Sequence, residues 1–245
     1  MAAHIWANRF DGALDDIFEL QDQVASGVAG AIEPKLLLAE IERAARKPTE
    51  NLGAYDLYLR ALSSFHQLTT EGHREAIRLS ERALEVDPFY WPAMAMIGWC
   101  GLYQAVQGWI VPTSGEVGRC LTLARRSIEG GKDDPDVLWM AGFTVAHLAG
   151  EHALATAAVE RALVLNPNCA HAWMVSGYIR CFSNRLDEAV DSIYRALRLS
   201  PLDPLAYLFR QCMALAHLVA GRYDEACSGS TSRSGSNRGF SLRFV

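Results

Sequence analysis

Five residues of this chain return at a fixed spacing. Trp139, Gly150, Ala155, Ala162 and Pro167 recur as Trp173, Asn184, Ala189, Ala196 and Pro201, each 34 positions further on. A period in that range marks a solenoid of stacked helical pairs, because one unit of that size cannot bury its apolar face alone. The residue types account for the spacing. A tryptophan opens the first helix of each unit. Ala155 with Ala162, like Ala189 with Ala196, lies seven residues apart on one face of the second helix, where small side chains let helices cross closely. Gly150 or Asn184 stands between the two helices, where a residue tolerant of the left-handed conformation is needed. Pro167 or Pro201 closes the second helix and starts the link to the next unit.

This order of aromatic, small residue, glycine-like turn, Ala, Ala and Pro resembles the tetratricopeptide repeat (TPR) family. The resemblance implies an all-α fold, a right-handed α-solenoid of TPR helix pairs, serving as a non-catalytic protein–protein interaction or regulatory module. Weaker copies flank the two central units. Tyr58, Ala76, Ala83 and Pro88 form one, with its turn expected at Thr69 to Gly72; Gly221, Arg222, Tyr223 and Ala226 begin another. The step from Ala189 to Ala226 is 37, so the link around Leu202, Asp203 and Pro204 is three residues longer. Between Pro88 and Asp133 the period requires an insertion of about 11 residues. Trp91 to Trp109 is expected as an unusually long first helix, and Gly115 to Ile128 as the second. Phe89 to Gly115 has no charged residue, but Pro92, Gln104, Gln107 and several glycines interrupt it and no basic flank orients it. A buried helix pair accounts for this composition better than a membrane span.

The N-terminal region points beyond itself. His4 to Phe10 alternates like a strand and ends at Asp11-Gly12. No second strand candidate follows, and one strand is unstable without neighbours, so the rest of its sheet is expected upstream. Amphipathic helical runs follow over Leu14 to Ala29 and Lys35 to Arg46. The stretch HIWANRFDGALDDIFELQDQVA, with KPTENLGAYDLYLRAL after it, resembles the junction at which a class III adenylate/guanylate cyclase domain hands over to TPR repeats in bacterial multidomain proteins. That resemblance covers roughly residues 4 to 226. It implies a C-terminal regulatory fragment of a cyclase in cyclic nucleotide signalling, itself lacking the catalytic domain. Class III catalysis implies metal-binding aspartates on neighbouring strands, and a mostly helical chain offers no sheet to carry them. The expected organisation is a remnant α/β domain with linker helices over 1–50, a solenoid of about four units plus a truncated fifth over 51–227, and a low-complexity tail over 228–245. The tail, SGSTSRSGSNRG and onward, is too poor in apolar residues to fold and is expected disordered. The fifth unit therefore reads as severed within its second helix, by frameshift or truncation, leaving Leu208, Met213 and Leu215 exposed.

Composition narrows the function further. A net charge of −5 argues against a general nucleic-acid surface, which needs clustered Lys and Arg. Arg43, Arg46 and Lys47 alternate with Glu40 and Glu42, as on a solvated helix face. Six cysteines, at 100, 120, 169, 181, 212 and 227, have no paired spacing and read as small core residues of a reducing, cytoplasmic protein. The first residues, MAAHIWANRFDG, lack the apolar core segment of a secretory signal. Seven histidines form no metal spacing; His147 and His152 read as a groove residue and a turn residue. Asp134 reads as a helix cap with Pro135 at the first position, rather than part of a cation site. Ser176-Gly177 lacks the setting of a hydrolase nucleophile, and no strand precedes Gly98, Gly101 and Gly108 to make a phosphate loop. No catalytic, cofactor-binding or metal-binding residues are assigned, and no cofactor is expected.

The family resemblance does place a groove. In TPR proteins the first helix of each pair lines the concave face at the second, fifth, ninth, twelfth and thirteenth repeat positions. Carried over, these are Val137, Met140, Thr144, His147 and Leu148 in one unit, and His171, Met174, Tyr178, Cys181 and Phe182 in the next. They lack the Lys, Asn and Arg pattern by which some TPR domains clamp a terminal carboxylate. An apolar, Met-containing groove suits an amphipathic helix of a protein or peptide partner, or a neighbouring domain of the parent polypeptide. The same residues serve equally well as packing under adjoining helices.

Overall fold

The computed structural model describes residues 28, 32, 36–46, 52–109, 114–201 and 203–230. Among them every regular element is helical. The expected strand at His4 to Phe10 and most of the Ser/Gly-rich tail lie outside the described residues. Helix 36–46 is followed by five helix pairs: α1 (Ala54–Phe65) and α2 (Thr70–Val86), α3 (Trp91–Gln107) and α4 (Ser114–Gly130), α5 (Pro135–Ala149) and α6 (His152–Leu165), α7 (Ala170–Cys181) and α8 (Leu186–Leu199), and α9 (Ala206–Val219) and α10 (Tyr223–Ser230). Each first helix packs on its own second helix and on the first helix of the next pair. That is the connectivity of an α-solenoid.

The repeat residues sit where their chemistry requires. Ala76, Ala83, Ala155, Ala162, Ala189 and Ala196 are fully buried at the crossings of successive helices. Gly150 and Asn184 turn the chain at φ 65° and 55°, and Gly108 and Gly221 do the same in the pairs on either side. In the first pair the turn falls earlier than expected. Leu68 takes the left-handed position at φ 53°, Thr69 caps α2 by accepting from the Gly72 amide at 3.0 Å, and Gly72 already lies in the helix. A Cβ there would stand 2.4 Å from the Ser64 carbonyl, so Gly72 is needed for close approach. Gly177 has a similar role in α7: a Cβ would meet Ile193 Cγ1 at 2.5 Å and the Ala189 carbonyl at 2.8 Å.

The uncharged segment from Phe89 onward becomes α3, buried from Ala93 to Gln104 except at half-buried Gly101 because α2, α4 and α5 surround it. The unit is stretched as expected, with two helices of 17 residues each. No helix among the described residues is long and apolar enough to cross a membrane. Asp134 caps α5, accepting from the amides of Asp136 and Val137 at 2.9 and 3.3 Å, and Pro135 opens the helix.

One expectation is overturned. Leu208 and Met213 of α9 are only 8% and 6% exposed, and Leu215 is half-buried. Neighbouring α7, α8 and α10 cover the helix, so the apolar residues left in solvent near this end are Leu218, Val219 and Tyr223. On the outer surface, ion pairs join successive units: Arg119 to Glu81, Arg125 to Glu151, Arg161 to Asp133 and Arg222 to Asp187. Being exposed and screened by solvent, they are weak contacts.

Candidate functional site

The inner faces of α1, α3, α5, α7 and α9 form one surface, tied together by rings. Phe65 stacks on Trp99 with centroids 4.1 Å apart, and Trp99 meets Trp139 edge-on at 4.9 Å. Trp139 stacks on His171 at 4.5 Å, and His171 meets Phe209 edge-on at 5.2 Å. Such pairs are worth about 0.5–1.5 kcal/mol each beyond their burial. The curvature is enough to bring the hydroxyls of Tyr103 (α3) and Tyr207 (α9) to 2.7 Å across the inside of the superhelix, 104 residues apart in sequence.

Two cavities open onto this surface and share Trp99. The first, of about 130 Å³, lies between Tyr58, Leu62 and His66 at the end of α1, Trp99, Trp139 and Met140, the Asn168–His171 corner and the Asp203–Leu205 link. Leu37 and Leu38 of helix 36–46 close one side. The second, of about 100 Å³, lies between Leu102, Tyr103 and Val106 of α3, Phe143, His147, Tyr178, and Leu208, Gln211 and Leu215 of α9.

Their electrostatics differ. In the first, the Asp203 side chain is 6% exposed. It accepts from the Ser200 hydroxyl at 3.0 Å and the Leu205 amide at 2.8 Å, with His171 Nε2 3.5 Å away. Burial alone would raise its carboxyl, but His171 and these hydrogen bonds outweigh it and hold the group below the usual carboxylate range. Asp203 is therefore ionised at neutral pH. Burial, together with nearby His171, lowers His66 despite the opposing pull of Asp203, leaving that ring neutral. Asp136 is exposed and accepts from Trp139 Nε1 at 2.9 Å. The second cavity has no charged lining residue. There the Tyr178 hydroxyl lies 2.6 Å from His147 Nδ1, placed to donate to an imidazole that burial keeps neutral.

The ten groove positions divide between these environments. Met140 and His171 line the first cavity, and His147 and Tyr178 the second. Val137, Thr144, Met174 and Cys181 are buried between helices; the Thr144 hydroxyl donates to the Met140 carbonyl at 2.9 Å. Leu148 is half-buried against the core. Phe182 stands 52% exposed and stacks on His152 at 5.3 Å, at the turn into α6. Several lining residues were not among the ten, although the same register finds them. Trp99, Leu102 and Tyr103 hold the ninth, twelfth and thirteenth positions of the unit starting at Trp91. Leu208, Gln211 and Leu215 hold the second, fifth and ninth of the last. Asp203, Pro204 and Leu205 belong to the lengthened link, which no repeat position describes. Among the described residues no group of His, Cys, Asp or Glu could hold a metal ion.

Residues 149–204 match the sequence profile of the family described as Tetratricopeptide repeat. This stretch is tetratricopeptide repeat. The TPR architecture extends beyond it. The crystal structure of a thermophilic TPR protein from Thermus thermophilus superposes with a TM-score of 0.56, over 76% of this chain and 93% of that one. At 18% identity that likeness shows the fold alone. In sequence, 132 residues are 34% identical to the protein named putative adenylate cyclase 3 of Rhizobium meliloti (strain 1021). The match takes in 54% of this chain but spans only 22% of that protein's length. The TPR fold is a protein-interaction fold.

Proposed function

We propose that this chain is a non-catalytic interaction region that holds a segment of a partner protein along the inside of its superhelix. The observation that carries the reading is the pair of cavities on the inner face, lined in part by first-helix residues at the positions TPR proteins use for ligands. Between them they combine apolar depth, aromatic faces and a few polar groups, the usual make-up of a peptide anchor site. The test is selection from a peptide display library on the folded chain, followed by calorimetry with the enriched sequences. Gln211→Trp, at a half-buried position, fills the second cavity and is expected to abolish binding. No enrichment above background, or unchanged binding to Gln211→Trp, overturns the reading.

The 34% identity to adenylate cyclase 3 favours a second reading, in which the partner segment belongs to a neighbouring cyclase domain of a longer polypeptide and the solenoid sets its output. Buried free thiols at Cys100, Cys169, Cys181 and Cys212 support a reducing, cytoplasmic setting for it. Replacing the matched region of the Rhizobium meliloti protein by this chain, and separately deleting that region, tests it. Cyclic AMP formation that changes several-fold on deletion and returns with the replacement supports regulation; identical rates in all three proteins sink it.

A further inference from the structure

We propose that the cavity between α1, α5 and the Asp203–Leu205 link takes a cationic group, the guanidinium or ammonium end of an Arg or Lys side chain. This deepens the peptide-groove reading by naming the anchor, and it rests on that reading only for the source of the side chain. Three observations support it. The lining contains two carboxylates, Asp136 and Asp203, with the rings of His66 and His171 and no Lys or Arg. One of them, Asp203, is nearly enclosed, and the bonds from Ser200 and Leu205, with the His171 ring 3.5 Å away, keep it charged instead of letting it take up a proton. A buried carboxylate held ionised in a largely apolar cavity projects its field into that space, where little solvent screens it.

The aromatic walls add to this. Tyr58, Trp99 and Trp139 line the same space, and ring faces attract a cation by about 0.5–2 kcal/mol as desolvation increases. The polar group at the Trp139 ring edge is Asp136, which accepts from its Nε1–H. The field extends to Tyr58: burial first, then Asp136 and Asp134, push its phenol well above the usual range. Arg60, between Tyr58 and Leu62 on α1, donates to the Ala44 carbonyl, and Arg46 pairs with Glu42. Helix 36–46 presents Leu37 and Leu38 to the cavity, which suits the aliphatic stem of such a side chain.

The test uses two small probes of nearly equal shape, 1-propylguanidinium chloride and neutral 1-propylurea, titrated into the full chain at fixed ionic strength. The indole N–H resonances of Trp99 and Trp139 are followed by NMR. The expected result is a saturable shift with 1-propylguanidinium in the millimolar range, at least about tenfold weaker with 1-propylurea. Asp136→Asn keeps an acceptor for Trp139 and is expected to weaken the guanidinium response several-fold. Asn168→Lys places a fixed cation at the rim and is expected to remove it, with the fold checked by circular dichroism. Equal responses to the two probes, no saturable response, or guanidinium binding unaffected by Asp136→Asn overturns the proposal. Because no peptide is used, failure here leaves the display selection to decide the groove reading separately.

Discussion

His73 has no solvent exposure at all, and no hydrogen bond of good geometry reaches either ring nitrogen. It is held by rings: Tyr103 stacked at 4.6 Å, Phe65 tilted at 4.5 Å and Trp109 edge-on at 5.1 Å. Burial pushes the imidazole down to about 4 from its ordinary 6.5, with the Cys100 backbone opposing only in part. Above 6.5 both the native and the unfolded chain carry it neutral, and it makes stability no more pH-dependent. Between 6.5 and 4 the unfolded chain takes up a proton that the native chain refuses, so native stability is lost as pH falls. The loss amounts to about 3 kcal/mol by pH 4. His73→Phe is expected to flatten the dependence of urea-unfolding free energy on pH in this window. His66 and His147 are also lowered by burial and keep a remaining slope. A variant as acid-sensitive as the parent removes the argument. The small and left-handed residues were legible in the sequence because sterics alone fixes them, as at Gly150 and Asn184. His73 was not, because its state depends on rings from α1 and from the end of α3 that no local pattern brings together.

At the scale of elements, each helix start is a separate contribution that can be tested by itself. Asp134 satisfies two amides of the first turn of α5, the helix that packs against α3, α4, α6 and α7 at once. Asp134→Ala is expected to cost about 1 kcal/mol and Asp134→Ser much less, read as shifts in thermal midpoint. Equal losses from both would mean that the charge rather than the cap is what α5 needs. This cap was legible, since Asp followed by Pro before an apolar run has one good structural use. The boundaries of α3 and α4 were legible too, because the 34-residue period forced the extra length into that unit. The first turn was misplaced, since α1 ends at Phe65 and leaves Leu68 to reverse the chain, a role glycine or asparagine usually takes. The lengthened link was visible as a gain of three residues. Its consequence, Asp203 carried into the first cavity, required the superhelix to be assembled.

In the whole molecule, a solenoid's stability is close to a sum over units and their nearest-neighbour interfaces, so an end unit is free to open alone. The contact between Tyr103 and Tyr207 breaks that rule, because it joins the second pair to the fifth. Burial raises both phenols, so the pair stays protonated and its hydrogen bond persists across the physiological pH range. A half-buried hydrogen bond of this kind contributes about 0.5–1.5 kcal/mol. Opening of the α9–α10 pair then carries that cost in addition to its contacts with α7 and α8. Tyr207→Phe keeps the ring packing and removes only the bond. It is expected to speed amide exchange in α9 and α10 by about three- to tenfold, leaving α5 and α6 unchanged. In a double-mutant cycle, adding Tyr103→Phe should cause little further loss, since the bond is already broken. Additive losses from the two substitutions, or exchange rising equally in all five pairs, would show that the hydroxyls act separately and that the superhelix is not closed through them. If the coupling is found, a ligand wedged between α3 and α9 must first break it, so the Tyr207→Phe chain should bind peptides selected for the second cavity more tightly than the parent does.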